Sequence, residues 1–407
     1  MLSQFTVKNY KSIRDEMTFD MQAVAISEHS DHLIEDSDGE FFLPIATIYG
    51  PNGGGKSNVL EAFRVLVFKV IRPIFVAMND LEQNTSLTRL SAIPFAFSEK
   101  CKNDPTEFEV FFRTDSSEYR YILHILREKV IYEQLDRVKK ETGRRSALFE
   151  RKGGNATLKG VLANLKISEG VSDSIPLLSY FGITYAGNKV IKEVIDWFIN
   201  KVDFRNYGNP FQEARITIAQ SEETKRLILK MIKEMDLDID DFRIEEENDR
   251  IEVYTKHIVC GNDVEIKLSE ESSGTRKVFG LLPYVANSII HGNTLVIDEL
   301  DAKIHPLLLK YIIELFSDQR KNRRGAQLIF TSHDLSTMNN EVFRRDEIWF
   351  VAKGKEQNTK LYSLVEFKTD KGESVRKDAK YDKQYLEGKY GADPYLQKII
   401  DWSEPNA

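Results

Sequence analysis

Eight consecutive residues, Gly50-Pro51-Asn52-Gly53-Gly54-Gly55-Lys56-Ser57, carry the most legible chemistry in this sequence. They fit the phosphate-loop pattern G-x-x-x-x-G-K-[ST] in full. Glycines let successive backbone N–H groups curl around phosphate oxygens without Cβ clashes. A helix opening at the end of the loop adds a positive partial charge. Lys56 is placed to neutralise the β- and γ-phosphates, and Ser57 to ligate Mg²⁺. Asn52, Gly53, Gly54, Gly55, Lys56 and Ser57 are therefore the nucleotide-binding candidates, with ATP and Mg²⁺ as the expected ligands.

Further along, Leu295-Val296-Ile297 runs into Asp298-Glu299. An apolar strand of this kind is buried, so acids at its tip stand at the C-terminal edge of a sheet, where ligands bind. Asp298 is the metal candidate. Glu299 is the general-base candidate, polarising the attacking water. Upstream lies Glu271-Ser272-Ser273-Gly274-Thr275, a small polar turn opening a helix over 276–286, and so a second anion-binding N-terminus. Downstream, Phe330-Thr331-Ser332-His333-Asp334 is an apolar strand ending in a histidine, and His333 follows Asp298 by 35 residues. That spacing suits the next strand of a parallel sheet. His305-Pro306 reads as a helix cap rather than a catalytic pair.

These groups need a scaffold. Strand patterns run over 2–9 and 43–49, the second ending at Gly50, and a strong helical pattern follows over 59–71. Stretches 108–113 and 120–125 read as a hairpin with 130–135 as a third strand, and 28–40 reads as an acidic loop. The most basic segment is 137–152, helical patterns dominate 158–233, and strand alternation returns over 244–267. Short apolar strands follow at 294–297, 327–330 and 347–352. The order implies one α/β domain with a mixed sheet, built from 1–135 and 242–366. A mostly helical insertion is expected over 136–241 and a charged, aromatic tail over 367–407.

Composition bounds the rest. An apolar fraction of 41% and a charged fraction of 30% suit a globular chain. A net charge of −7 does not steer toward nucleic acid, so such binding would need a local basic patch. Cys101 and Cys260 are too few for a zinc site or a disulfide framework. No run of about 18 apolar residues suggests a membrane span. A cytoplasmic protein is expected.

With these residues in hand, the chain resembles an ABC-type P-loop ATPase head. It resembles most the RecF and OLD (overcoming lysogenization defect) branch, and within it the stand-alone ATPases of abortive-infection and other phage-defence operons, such as the AbiL type. The opening Phe5-Thr6-Val7-Lys8-Asn9-Tyr10-Lys11-Ser12-Ile13 is similar to the family's first strand, whose Asn-aromatic step lies near the adenine. The segments Arg345-Asp346-Glu347-Ile348-Trp349-Phe350 and Tyr385-Leu386-Glu387-Gly388-Lys389-Tyr390-Gly391-Ala392-Asp393-Pro394 resemble family motifs as well.

The resemblance implies that Ser272 and Gly274 belong to a signature turn capping the γ-phosphate held by another copy. It implies that Asp301 is a D-loop aspartate at the dimer interface and that His333 contacts the γ-phosphate. Ser273 and Thr275 depart from the usual signature. No Q-loop glutamine is evident; Pro94-Phe95-Ala96-Phe97 stands roughly where one is expected. OLD nucleases continue into a Toprim domain, for which the roughly forty residues after 367 are too few, so no intrinsic nuclease is expected. The implied function is a dimeric ATP-driven switch controlling a separate effector, a nuclease or toxin. The alternative is a RecF/SMC-like DNA-repair ATPase gripping duplex DNA, with the segment 137–152 as the discriminator.

Overall fold

The computed structural model describes residues 1–78, 90–206, 221–247, 250–368 and 372–392. Strand alternation sets its first layer. In β1 (Leu2–Lys8), Phe5 and Val7 are buried between half-exposed Gln4, Thr6 and Lys8, and Leu2 and Ser3 are both buried at its start. It joins β2 (Met17–Asp20), β6 (Thr106–Arg113), β7 (Ser117–Leu126), β8 (Lys129–Lys139), β9 (Arg145–Lys152) and β10 (Asn155–Leu158). Together they form an antiparallel sheet in the order β10-β9-β8-β7-β6-β1-β2. A two-stranded pair, β3 (Ile34–Glu35) and β4 (Phe41–Phe42), lies in the acidic stretch. There Asp36 and Asp38 pair with Arg113, and Asp36 also pairs with Lys140.

The second layer is a six-stranded sheet in the order β11-β15-β16-β5-β17-β18. It contains β5 (Ile45–Tyr49), β11 (Val202–Asn206), β15 (Thr294–Asp298), β16 (Gln327–Thr331), β17 (Ile348–Lys353) and β18 (Thr359–Ser363). All neighbours are parallel except β18, which runs antiparallel to β17. Every residue of β5 and β16 is buried, as expected for central parallel strands covered on both faces. Ala46, Ile48, Val296, Ile329, Trp349 and Val351 face a core shared with α1 (Lys56–Ala77) and the antiparallel sheet. Ile45, Tyr49, Leu295, Ile297, Leu328, Phe330, Ile348 and Phe350 face the opposite core. That core is completed by α5 (Ser273–His291) and α6 (Pro306–Ser317). The fold is thus α/β with a mixed sheet, as expected.

Between the layers' defining strands come α2 (Leu177–Thr184), α3 (Lys189–Asn200) and α4 (Glu222–Glu234). A three-stranded meander follows, made of β12 (Asp241–Glu247), β13 (Arg250–Val259) and β14 (Asn262–Lys267). The expected mostly helical insertion over 136–241 is corrected here. β8 runs through residue 136, β9 and β10 extend the antiparallel sheet, and α2 and α3 pack into the core with α1. The basic composition of 137–152 obscured the strand period, because the buried positions there include Arg137 and Arg151 as well as Leu148 and Phe149.

Several described residues of the tail also pack into the second core. Tyr381, Tyr385 and Tyr390 are buried, the first two within α7 (Tyr381–Leu386). The Tyr385 and Tyr390 rings stack on Phe350 with centroids 5.5 and 5.1 Å away. This gives a physical reason for the aromatic spacing of that motif. Asp393 and Pro394 lie outside the described residues. No helix among the described residues is long and apolar enough to cross a membrane. Tyr390→Ala removes a ring packed on both Phe350 and Phe367. It should cost about 3 kcal/mol, in line with aromatic truncation in cores, read as a lowered urea midpoint. An unchanged midpoint would show that the tail contributes no packing.

Candidate functional site

The phosphate loop hangs between β5 and α1, and two of its glycines are forced. Gly50 has φ 154°, and a Cβ there would lie 2.5 Å from Val351 Cγ2 and 2.6 Å from the Val351 carbonyl oxygen. Gly55 has φ 108°, and a Cβ would collide with the Thr359 hydroxyl. That hydroxyl lies 2.9 Å from the Gly54 carbonyl and 2.8 Å from Ser12 Oγ. Ser12 Oγ also accepts from Asn58 Nδ2 at 2.7 Å. The loop is thereby clamped from the β1–β2 connection and from β18. Asn52 and Gly53 stand exposed at its tip.

Lys56 opens α1 and is buried, its Nζ donating to the Gly50 carbonyl at 2.8 Å and the Pro51 carbonyl at 3.3 Å. Burial lowers its pKa, while the nearby charges of Asp298, Glu299 and Asp301 act to raise it. The three acids read from sequence therefore do converge on the loop lysine. Ser57 and Asp298 line one cavity of about 190 Å³, with Glu61, Arg64, Phe204 and Arg205. Hard oxygen donors such as Ser57 Oγ and the Asp298 carboxylate fit Mg²⁺.

Thr331, at the end of β16, organises the acids. Its hydroxyl donates to Asp298 Oδ1 at 2.6 Å and accepts from the Glu299 backbone N–H at 2.7 Å. Glu299 is exposed and has φ 54°. That left-handed conformation is uncommon outside glycine and persists where surroundings hold it. Two residues on, the His333 N–H donates to Asp301 Oδ2 at 3.0 Å. The histidine ring segment and the acid segment are thus tied through the backbone, with His333 exposed beside them. His305 caps α6, its Nδ1 accepting from the Leu307 N–H at 3.3 Å, so it serves as the expected cap.

Ser272 caps α5, its Oγ accepting from the Thr275 N–H at 3.1 Å. Ser272 is exposed and Gly274 half-exposed. Neither hydrogen-bonds to the phosphate loop nor lines the Ser57 cavity. One turn on, Lys277 Nζ donates to the Ala302 carbonyl, joining α5 to the Asp301 segment. Burial, with Lys303 nearby, pushes its pKa down to about 8.

Several site residues escaped the sequence reading. Glu61 and Arg64 follow Ser57 at helical spacing, a signal that was available. Phe204 and Arg205 lie on β11, a five-residue strand hidden behind a helix; its backbone register sets Asn206 opposite Asp298. Arg205 pairs with Asp203 at 2.7 Å and covers the Tyr284 ring at 3.9 Å. The 94–97 segment instead docks on Asn9, whose Oδ1 accepts from the Phe95 N–H at 2.9 Å. Asn9 Nδ2 is spent on the carbonyls of Cys101, Asp104 and Pro105.

The sequence matches the family described as "AAA domain, putative AbiEii toxin, Type IV TA system" over residues 45–173 and 189–339, more than half of its length. The chain belongs to this family. The complete phosphate loop and the AAA-domain match together make the protein a P-loop ATPase. No curated protein sequence matches it. Among solved structures, the SMC head domain from Thermotoga maritima is 16% identical with a TM-score of 0.47. That match covers 89% of this chain and 98% of that one. An SMC head bound to the C-winged helix domain of ScpA is 14% identical with a TM-score of 0.48, covering 89% and 97%.

In this AAA-domain chain, Thr331→Val keeps the side-chain shape and deletes the hydroxyl that serves both Asp298 and Glu299. Loss of one charge-assisted bond of about 1.5–3 kcal/mol should slow steady-state ATP turnover at least tenfold with little change in melting temperature. Wild-type turnover would show that the acids need no such anchor.

Proposed function

We propose that the protein hydrolyses ATP at sites shared between two copies and uses that cycle to control a separate effector, a nuclease or toxin, in anti-phage defence. One observation carries the shared site. A single chain presents two half-sites: the loop with its acids, and the exposed N-terminus of α5, where Ser272 and Gly274 make no hydrogen bond to the phosphate loop. The α5 terminus offers backbone N–H groups and a positive helix end suited to a phosphate. A second copy would bring it onto the γ-phosphate held by Lys56.

In such a site Lys56 binds the β- and γ-phosphates, and Ser57 and Asp298 would hold Mg²⁺. The ion, when bound, offsets charge on the transferring phosphoryl group. Glu299, exposed and held at its backbone by Thr331, accepts the proton of the attacking water. His333, on the segment fixed by Asp301, faces the γ-phosphate side, and Asp301 stands at the junction of the two copies.

The switch reading rests on the γ-phosphate contacts, which exist only when two copies close. It also draws on the family description, which names a putative toxin system, and on the resemblance to the RecF/OLD-like, AbiL-type branch. The DNA-gripping alternative leaned on the segment 137–152, and three of its cations are taken up by acids of the same chain. Arg151 is buried and pairs with Asp173, Lys140 pairs with Asp36, and Lys152 pairs with Glu150. Arg144 and Arg145 sit exposed at the hairpin end.

Mixing two inactive variants tests the shared site. Lys56→Ala and Gly274→Asp together should form heterodimers with one doubly damaged and one intact site, so ATPase activity should return in proportion to the heterodimer. Mixtures as inactive as either parent, with heterodimers confirmed by native mass spectrometry, would refute independent shared sites.

A further inference from the structure

The ends of the parallel strands opposite the ATP site border a second cavity. Lys201 precedes β11, Gly292 lies just before β15, and Arg324 and Gly325 lie just before β16. These residues and one face of α3, from Lys189 to Trp197, border a cavity of about 490 Å³, within the roughly 300–1,000 Å³ typical of small-molecule sites. Strands of this length separate it from Asp298 by roughly 15 Å, at about 3.3 Å per residue.

Its charge is unbalanced. Arg113 is saturated by Asp36, Asp38 and Glu118, and Lys140 by Asp36. Glu193 accepts from the hydroxyls of Thr114, Ser116 and Tyr119, which leave its negative charge in place. Four lining cations are left, Lys189, Lys192, Lys201 and Arg324, and none makes an ion pair among the described residues. Asp115, Glu193 and Asp196 oppose them, so the unpaired cations are one in excess. Lys201 Nζ donates to the His291 carbonyl at 2.5 Å, and burial, with Arg324 nearby, lowers its pKa. Trp197 lines the same space, stacked on Phe112 at 4.1 Å, and its buried indole N–H has no hydrogen-bond partner. Clustered cations that repel one another in a partly enclosed site are relieved by an anion.

We propose that this cavity binds a small phosphate-bearing molecule, held by Lys189, Lys192, Lys201 and Arg324 against the wall formed by Trp197. The site is separate from the phosphate loop and does not depend on the shared-site reading. A cavity of about 490 Å³ has the size of a small ligand rather than of a nucleic-acid backbone.

Pyrophosphate is the probe, and Lys56→Ala is the background that weakens its binding at the phosphate loop. Calorimetry on the Lys56→Ala protein should show one pyrophosphate per chain. Adding Lys192→Glu and Arg324→Glu, both exposed positions, should weaken it at least tenfold while circular dichroism stays unchanged. If that double reversal disturbs folding, Lys189→Gln with Lys192→Gln should still weaken binding several-fold. No pyrophosphate binding in the Lys56→Ala protein would overturn the proposal. So would equal affinity in a folded double variant. Binding of single-stranded or duplex oligonucleotides, but not pyrophosphate, with the same dependence on Lys192 and Arg324 would overturn it too.

Discussion

A buried lysine ammonium must be compensated, and the architecture around Lys56 follows from that need. Removing a charge from water without partners costs far more than a domain's net stability allows. Here the partners are two loop carbonyls and the field of Asp298, Glu299 and Asp301. Only a parallel sheet delivers them together. β5 ends in the loop, β15 ends in the acids, and β16 between them ends in Thr331, which holds both Asp298 and the Glu299 backbone. Three acids around one lysine leave an excess of negative charge that suits a divalent cation.

The same constraint explains where motion can be transmitted. The loop is fixed by Ser12 and Thr359, and the acid segment by Thr331. The Asp301 segment has two tethers, His333 on one side and Lys277 of α5 on the other. In the shared-site reading, α5 meets the partner copy's nucleotide. Its displacement would then pull through Lys277 on the acids of its own chain. Such a linkage couples two sites only if both bias the same two-state element.

Much of the site was legible because its chemistry demands rare residues at fixed spacing. The phosphate loop, the acid pair and the histidine strand all fall at strand ends, as expected from their apolar runs. The clamp was not legible: Ser12, Thr331 and Thr359 are ordinary hydroxyl residues whose roles come from tertiary contact. β11 was missed because five residues after a helix carry too little period to register. The segment 137–152 misled because long basic side chains can be buried when paired, as Arg151 is with Asp173 and backbone carbonyls. The tail's aromatic spacing had no explanation in sequence, and becomes intelligible once Phe350 is seen beneath it.

The central claim is that ATP closes two copies around a shared site. It is tested most directly by the mass in solution of the Glu299→Gln protein, which keeps the site's shape but cannot accept the proton, slowing hydrolysis by about 10²–10⁴. Light scattering with saturating ATP and Mg²⁺ should give a dimer that reverts without nucleotide, and Gly274→Asp added to the same chain should abolish it. A Glu299→Gln protein that binds ATP by calorimetry yet keeps the same mass with and without it, or whose ATP-dependent dimer survives Gly274→Asp, would contradict the account.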